Sequence, residues 1–351
     1  MVWLIPRSHP EPGAALCDND LPATLSNPPM NSTTLSIVAG VLQRNDGRVL
    51  VSTRPPGRAM AGAWEFPGGK RESGEGRWEA LHRELAEELD IRITDGRPLI
   101  QTAYAYPDGP SVHLDVWLIH EWNGVARPRE GQAIAWHPPE DLEGLEMLAA
   151  NRPIVTALCL PPRYLVTPEP RTDLDAFLEE LDVTLGGARE LLVQLRGDWL
   201  AGPGAAATAH AAVDLGHRHG RRVLVNGDAD LAQAVGADGV HLPARQAREL
   251  DERPLPPSCL VGVSCHDLAE LRQAEALGAN FVTLGHVRDT PSHPGKAPLG
   301  WQRFGELAGQ ARLPLYAIGG MREDDLEALW RHGAQGYAAI SSLWRKTPQE
   351  G

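Results

Sequence analysis

The sequence predicts two domains in series, mixed α/β and α+β in class, with a compact (β/α)8 barrel as the second. At 351 residues the chain is long enough for two domains of ordinary size. The adjacent prolines Pro161 and Pro162 mark a change of texture. Beyond them, eight short apolar runs alternate with stretches of helical spacing, as repeated strand–helix units require.

Residues 1–31 are Pro-rich and polar after the Val2-Trp3-Leu4-Ile5 patch. That patch is too short for a signal-peptide core, so a disordered extension is expected, with Met30 as an alternative start. Residues 36–42 read as a strand, Asn45-Asp46-Gly47 as a hairpin turn and 48–52 as the return strand. Residues 64–69 lead into an acidic loop. Helical spacing of Leu81, Leu85 and Leu89 places a helix over 78–89. Residues 114–122 read as a strand, and 151–158 begin a closing helix. The barrel strands are expected at 164–166, 191–195, 223–225, 239–242, 260–263, 281–284, 315–318 and 337–340. The domains are thus expected to span 32–160 and 163–347.

Apolar content of 42% and charged content of 23% are those of a soluble globular protein. A net charge of −13 argues against broad electrostatic binding to nucleic acid, but is compatible with a nucleotide carried with Mg²⁺. Cys17, Cys159, Cys259 and Cys265 form no CxxC pair, so reduced cytoplasmic thiols are expected. No apolar run approaches a membrane span.

The most informative stretch is Gly69 to Ile91. Glu84, Glu87 and Glu88 fall at i, i+3 and i+4, on one helix face, and Glu75 in the preceding loop can reach the same spot. Like charges so placed weaken a bare helix, and a hard divalent cation removes that penalty. The bland alternative is a solvated acidic face. The spacing resembles the Nudix box, G-x5-E-x7-R-E-U-x-E-E-x-G-U, with Gly69, Glu75, Arg83-Glu84-Leu85, Glu87-Glu88 and Ile91 at its fixed positions. The last glycine is Asp90, a residue type that tolerates the left-handed backbone. The resemblance implies a Nudix α/β/α sandwich and Mg²⁺, with Mn²⁺ as a substitute. It implies ligands from Glu84, Glu87, Glu88, a fourth glutamate Glu130 and the Gly68 carbonyl. Glu84 is the first candidate for the catalytic base and Glu130 the second. Arg83 is equally suited to a structural pairing with Glu75.

Residues 31 to 160 further resemble MutT-type Nudix hydrolases, through Glu65-Phe66-Pro67-Gly68-Gly69-Lys70, Arg54, Glu130 and Asn151. This likeness implies hydrolysis of 8-oxo-dGTP to 8-oxo-dGMP and pyrophosphate, a nucleotide-pool sanitation that protects DNA replication. Arg54 would contact the base, Phe66 would provide apolar lining, and Asn151 would read the purine. Oxidation turns N7 of guanine from acceptor to donor, and an amide can accept from N7–H while donating to O6. Unmodified guanine would leave that pair mismatched. The competing role for Asn151 is to cap the closing helix. A Nudix hydrolase acting on another nucleoside diphosphate derivative is the alternative within the family.

Residues 163 to 347 resemble thiamine phosphate synthases and their TenI relatives, which are TIM barrels. The likeness rests on Val193-Gln194-Leu195-Arg196, Val225-Asn226, residues 236–241, Gly262-Val263-Ser264-Cys265-His266, Ile318-Gly319-Gly320 and Ile340-Ser341-Ser342. Gln194, Arg196 and Asn226 are the implied ligand contacts. Gly319, Gly320, Ser341 and Ser342 follow the last two strands, where such barrels bind phosphate through backbone N–H groups. A thiazole or thiamine phosphate is the implied ligand. Several synthase residues are absent: Asp198 replaces an expected Lys, Gly227 an Asp, and Gln246 another Asp. The barrel is therefore expected to be degenerate as a synthase. His286, in a context similar to the TenI tautomerases, keeps a proton-shuttling isomerase as an alternative, with an ordinary loop histidine beside His293 as its rival.

Overall fold

A computed structural model describes residues 34–345 apart from 108, 171–172, 188–189, 291–294 and 296. The extension to residue 31, with Cys17 and Met30, lies outside the described residues, as do His293 and the last six positions.

The first domain comprises β1 (Leu35–Leu42), β2 (Val49–Thr53), β3 (Trp64–Glu65), β4 (Gly68–Lys70), α1 (Arg77–Leu89), β5 (Arg92–Ala105), β6 (Ser111–Asn123), β7 (Ile134–His137) and α2 (Arg152–Cys159). Its larger sheet has the order β4-β1-β6-β5 and its smaller the order β3-β2-β7. β1 runs parallel to β6, and β6 antiparallel to β5. Alternation along these strands serves two faces. Val38, Leu42, Trp117 and Ile119 pack with Leu81, Leu85 and Leu89 of α1. Ala39, Val41, Val116 and Leu118 pack with Ile154 and Val155 of α2. The result is the α/β/α sandwich.

The expected hairpin needs correcting. The turn at Asn45-Asp46-Gly47 closes, with Gly47 N donating to Arg44 O at 2.9 Å. Beyond the Gln43–Val49 bridge and the hydrogen bond from Arg44 N to Arg48 O at 2.9 Å, the strands on either side separate into different sheets. The 14-residue β5 had no place in the sequence reading; Gly96 and Pro98 interrupt its pattern, and register shifts occur at both.

The second domain is a closed parallel barrel of β8 (Arg163–Val166), β9 (Leu191–Leu195), β10 (Val223–Asn226), β11 (Gly239–Leu242), β12 (Leu260–Cys265), β13 (Phe281–Gly285), β14 (Leu315–Ile318) and β15 (Gly336–Ala339). Among the described residues a helix follows each of the first seven. The strands are apolar on both faces because one faces the bore and the other the helices. The bore is filled by Tyr164, Leu192, Leu224, Phe281 and Tyr316. His241 sits among them, its Nδ1 3.1 Å from the Tyr164 hydroxyl and its Nε2 2.9 Å from Ser264 Oγ. Burial drives its pKa down to about 3, so it is a neutral core histidine.

The domains meet at the N-terminal ends of the barrel strands. Gln335 Nε2 donates to the carbonyls of Ala157 (3.0 Å) and Leu160 (2.7 Å), Tyr316 Oη donates to Pro161 O at 2.6 Å, and Thr102 Oγ1 donates to Arg312 O at 3.1 Å. The C-terminal mouth, where barrel chemistry resides, stays clear of this seam.

Candidate active site

α1 presents its carboxylates toward the β4 strand and the loop before it. Glu79 accepts from Gly76 N–H at 3.0 Å and starts the helix. Asp90 ends it in the left-handed conformation, φ 60° and ψ 38°, as the residue type allows. Gly68 and Gly69 are set by space. A Cβ on Gly68 would lie 2.1 Å from Val38 O, and one on Gly69 would lie 2.1 Å from Glu84 Oε2. Glycine therefore lets the backbone reach the carboxylates.

Glu88 is 8% exposed and accepts from Gly68 N–H at 3.1 Å. Burial raises its pKa to about 7; the Gly68 hydrogen bond opposes this, and the nearby charges of Glu130, Glu65 and Glu84 add to it. Glu84 is largely enclosed and accepts from Arg83 at 2.8 Å. Glu87 lies at the solvent edge, 3.6 Å from Arg83. Glu130 pairs with Arg58 at 2.8 Å. Among the described residues no group of three or more acidic, histidine or cysteine side chains is set to hold a metal ion as the side chains stand. Glu88 nevertheless lies near enough to Glu84 and Glu130 for their charges to raise its pKa further, and oxygen donors of that kind suit a hard divalent cation.

Glu75 follows the structural alternative. Instead of joining the cluster it takes both ends of the Arg83 guanidinium, at 2.9 and 3.0 Å, which holds its pKa below the usual carboxylate range. Arg83 also reaches Lys70 O at 3.1 Å, so the arginine ties loop to helix, as its structural reading requires.

Arg54 donates to Glu65 at 2.6 Å and to Ala59 O at 2.8 Å. Burial raises the Glu65 pKa against the pull of Arg54. Phe66 is buried in the core on the α2 side of the sheet. Asn151 precedes α2 without capping it, for its side chain makes no cap hydrogen bond. It is 4% exposed, and its Nδ2 is buried with no partner. The sequence reading passed over three residues. Tyr104 and Tyr106 stack edge-on at 4.8 Å and pack on the cluster that holds Phe66; their alternate spacing was the available signal. Gln132 accepts from Glu130 N–H at 2.7 Å and donates to Glu88 O at 3.0 Å, fastening the Glu130 loop to the end of α1.

In the barrel, Gln194 Nε2 donates to Asn226 Oδ1 at 2.7 Å near the strand ends. The backbone N–H of Arg196 donates to Thr167 Oγ1 at 2.9 Å. His286 and Gly319 adjoin: a Cβ on Gly319 would lie 2.4 Å from that of His286. Gly320 turns with φ 69°. Ser342 Oγ donates to Met321 O at 2.9 Å. Ser341 lines a cavity of about 220 Å³ that also carries Glu169, Asp173 and Glu180, the wrong charge for phosphate. Gly227 and Gln246 face each other, since a Cβ on Gly227 would lie 3.2 Å from Gln246 Oε1. The two uncharged replacements thus fall at one place. Asp228 caps the next helix by accepting from Leu231 N–H at 2.8 Å, which commits it to structure.

Comparison with known proteins follows the same division. A family model described as NUDIX domain matches residues 38–157, and one described as thiamine monophosphate synthase matches 163–343. A CTP pyrophosphohydrolase of Escherichia coli is 35% identical over 123 residues, covering 35% of this chain and 90% of the relative. A putative thiamine-phosphate synthase 2 of Aquifex aeolicus is 34% identical over 183 residues, covering 52% of this chain and 97% of the relative. A solved structure from work on MutT of Aliivibrio salmonicida and Vibrio cholerae aligns with 32% identity, a TM-score of 0.31, and coverage of 36% of this chain and 96% of that one.

Proposed function

Because the chain belongs to the Nudix family in its first half and to the thiamine monophosphate synthase family in its second, we propose that it is a Mg²⁺-dependent nucleoside triphosphate pyrophosphohydrolase that converts 8-oxo-dGTP and water to 8-oxo-dGMP and pyrophosphate. The observation that carries the base preference is the Asn151 amide, buried, uncapping and with an unpartnered Nδ2. Such a donor calls for an acceptor such as O6, while the amide oxygen accepts from the N7–H that only the oxidised base presents. Arg54, Tyr104 and Tyr106 supply polar and aromatic edges for the base. When bound, Mg²⁺ neutralises the triphosphate and the carboxylates and lowers the pKa of water. Glu84, Glu87, Glu88 and Glu130, with the Gly68 carbonyl, would hold it. Glu84 is the first candidate to take the proton of the attacking water, and Glu130 the second.

The likeness to a CTP pyrophosphohydrolase favours a second reading, with a pyrimidine triphosphate as substrate. An Asn amide can also serve cytosine, accepting from N4–H and donating to N3. Specificity constants for 8-oxo-dGTP, dGTP, CTP and ADP-ribose separate the readings. Preference for CTP replaces the first with the second, and preference for ADP-ribose removes both while sparing the Nudix chemistry.

For the barrel we infer a module that takes a phosphate ligand at the Gly319-Gly320 turn without synthase turnover; the uncharged pair Gly227 and Gln246 and the capping role of Asp228 support the lack of turnover. A working synthase or a His286-dependent tautomerase is the alternative. Calorimetry with thiazole phosphate tests for the ligand; no heat of binding leaves the barrel a structural role.

A further inference from the structure

The seam between the domains forms an open cleft of about 590 Å³ apart from both sites. Arg97 and His120 line it from β5 and β6, and Arg163, Arg221, Arg222 and Trp330 from the barrel. Among the described residues four arginines thus face it, against Glu190 as the one lining carboxylate. Arg163 is neutralised by Glu323, and Arg222 donates to the Cys159 carbonyl. Among the described residues Arg97 pairs with no carboxylate. Its Nη1 donates to Pro98 O at 3.1 Å, and its guanidinium lies 4.3 Å from the centroid of the Trp330 ring. Burial lowers its pKa to about 10, with only Glu190 opposing. The His120 pKa is also lowered, first by burial and then by the charge of Arg97. Arg97 and Arg222 therefore give the described lining more positive charge than Glu190 alone offsets.

We propose that this interdomain cavity binds a phosphoryl anion through Arg97, Arg221 and Arg222, and that the ligand fastens the two domains to each other. Guanidinium groups match phosphate oxygens in pairs, and desolvation strengthens such charge-assisted bonds. The volume is that of a small-molecule pocket. The cavity lies at the N-terminal ends of β8, β9, β10 and β15, so it is distinct from the Gly319-Gly320 turn at the opposite end of the barrel. Trp330, stacked on Arg97, fixes the plane in which that guanidinium presents its donors.

Isothermal titration of the full chain with inorganic phosphate and with pyrophosphate, in EDTA to remove divalent metal, reads the site directly. Wild type is expected to bind saturably, Arg97→Gln to bind about 10-fold or more weakly, and Arg97→Lys to fall between the two, because lysine keeps the charge but not the paired donors. Gln43→Glu leaves every arginine in place and adds opposing charge to the lining, so it too should weaken binding, even if Arg97→Gln disturbs the seam. Phosphate held elsewhere is indifferent to these changes. A preference for pyrophosphate assigns the cavity to a diphosphate group, and a preference for phosphate to a monophosphate. No saturable binding by wild type, or wild-type affinity in both Arg97→Gln and Gln43→Glu, overturns the proposal.

Discussion

The acidic site on α1 and the mouth of the barrel are built on equally well-packed scaffolds, yet they differ in charge where a metal-bound polyphosphate would have to sit. In the first domain Glu84 and Glu88 are enclosed, Glu130 is tethered by Gln132, and burial, helped by neighbouring carboxylates, raises the Glu88 pKa to about 7. In the second, Gly227 and Gln246 meet with no charge between them. The barrel core of Tyr164, Phe281 and Tyr316 does not depend on those mouth residues. A fold and its reaction are separable because packing and chemistry are carried by different side chains.

The comparison can be broken in several ways. The largest expected effect is in Glu87→Gln, which should lower triphosphate hydrolysis by about a thousand-fold or more while the melting temperature barely moves; ordinary turnover in that variant would remove the acids from the chemistry. On the barrel side, expression of the whole chain is expected not to restore growth to a thiamine-phosphate-synthase auxotroph. Rescue would show that the mouth works without the two acids.

A smaller effect concerns pH. The Glu88 carboxyl ionises near 4.5 when exposed and near 7 in the folded, metal-free chain. Between those values the native state keeps a proton that the unfolded chain has released. Stability should therefore fall as pH rises through that window and level off above it, by on the order of 3 kcal/mol. Denaturant melts in EDTA should show the fall in wild type, added Mg²⁺ should reverse it, and Glu88→Gln should lack it. The smallest effect is at the helix end. Asp90→Gly should stabilise the first domain by about 0.5 kcal/mol, because glycine adopts the left-handed conformation without a Cβ penalty; a loss of stability in urea melts would mean that Asp90 contributes more than its backbone.

The sequence exposed the box because its chemistry constrains many positions at once, and it exposed all eight barrel strands because each is a short apolar run bounded by turns. Other features depended on partners distant in the chain. The turn at Asn45-Asp46-Gly47 looks like any hairpin until β6 competes for β1 and β7 for β2. β5 is hidden by Gly96 and Pro98, which read as breaks but sit at register shifts. Glu75 satisfies the box spacing and could serve the cluster or Arg83 equally; the structure selects the pairing with Arg83. The Asn151 cap was a sound local alternative; the missing hydrogen bond is a tertiary fact.

The position of the seam has a consequence for traffic within the chain. The first domain closes the barrel's floor, and the bore above it is solid with aromatic side chains. Among the described residues the filled bore offers no passage from the barrel mouth to the seam, so a compound released by one half would reach the other through solvent. Joining them in a single polypeptide guarantees equal numbers and a shared address in the cell rather than direct hand-over.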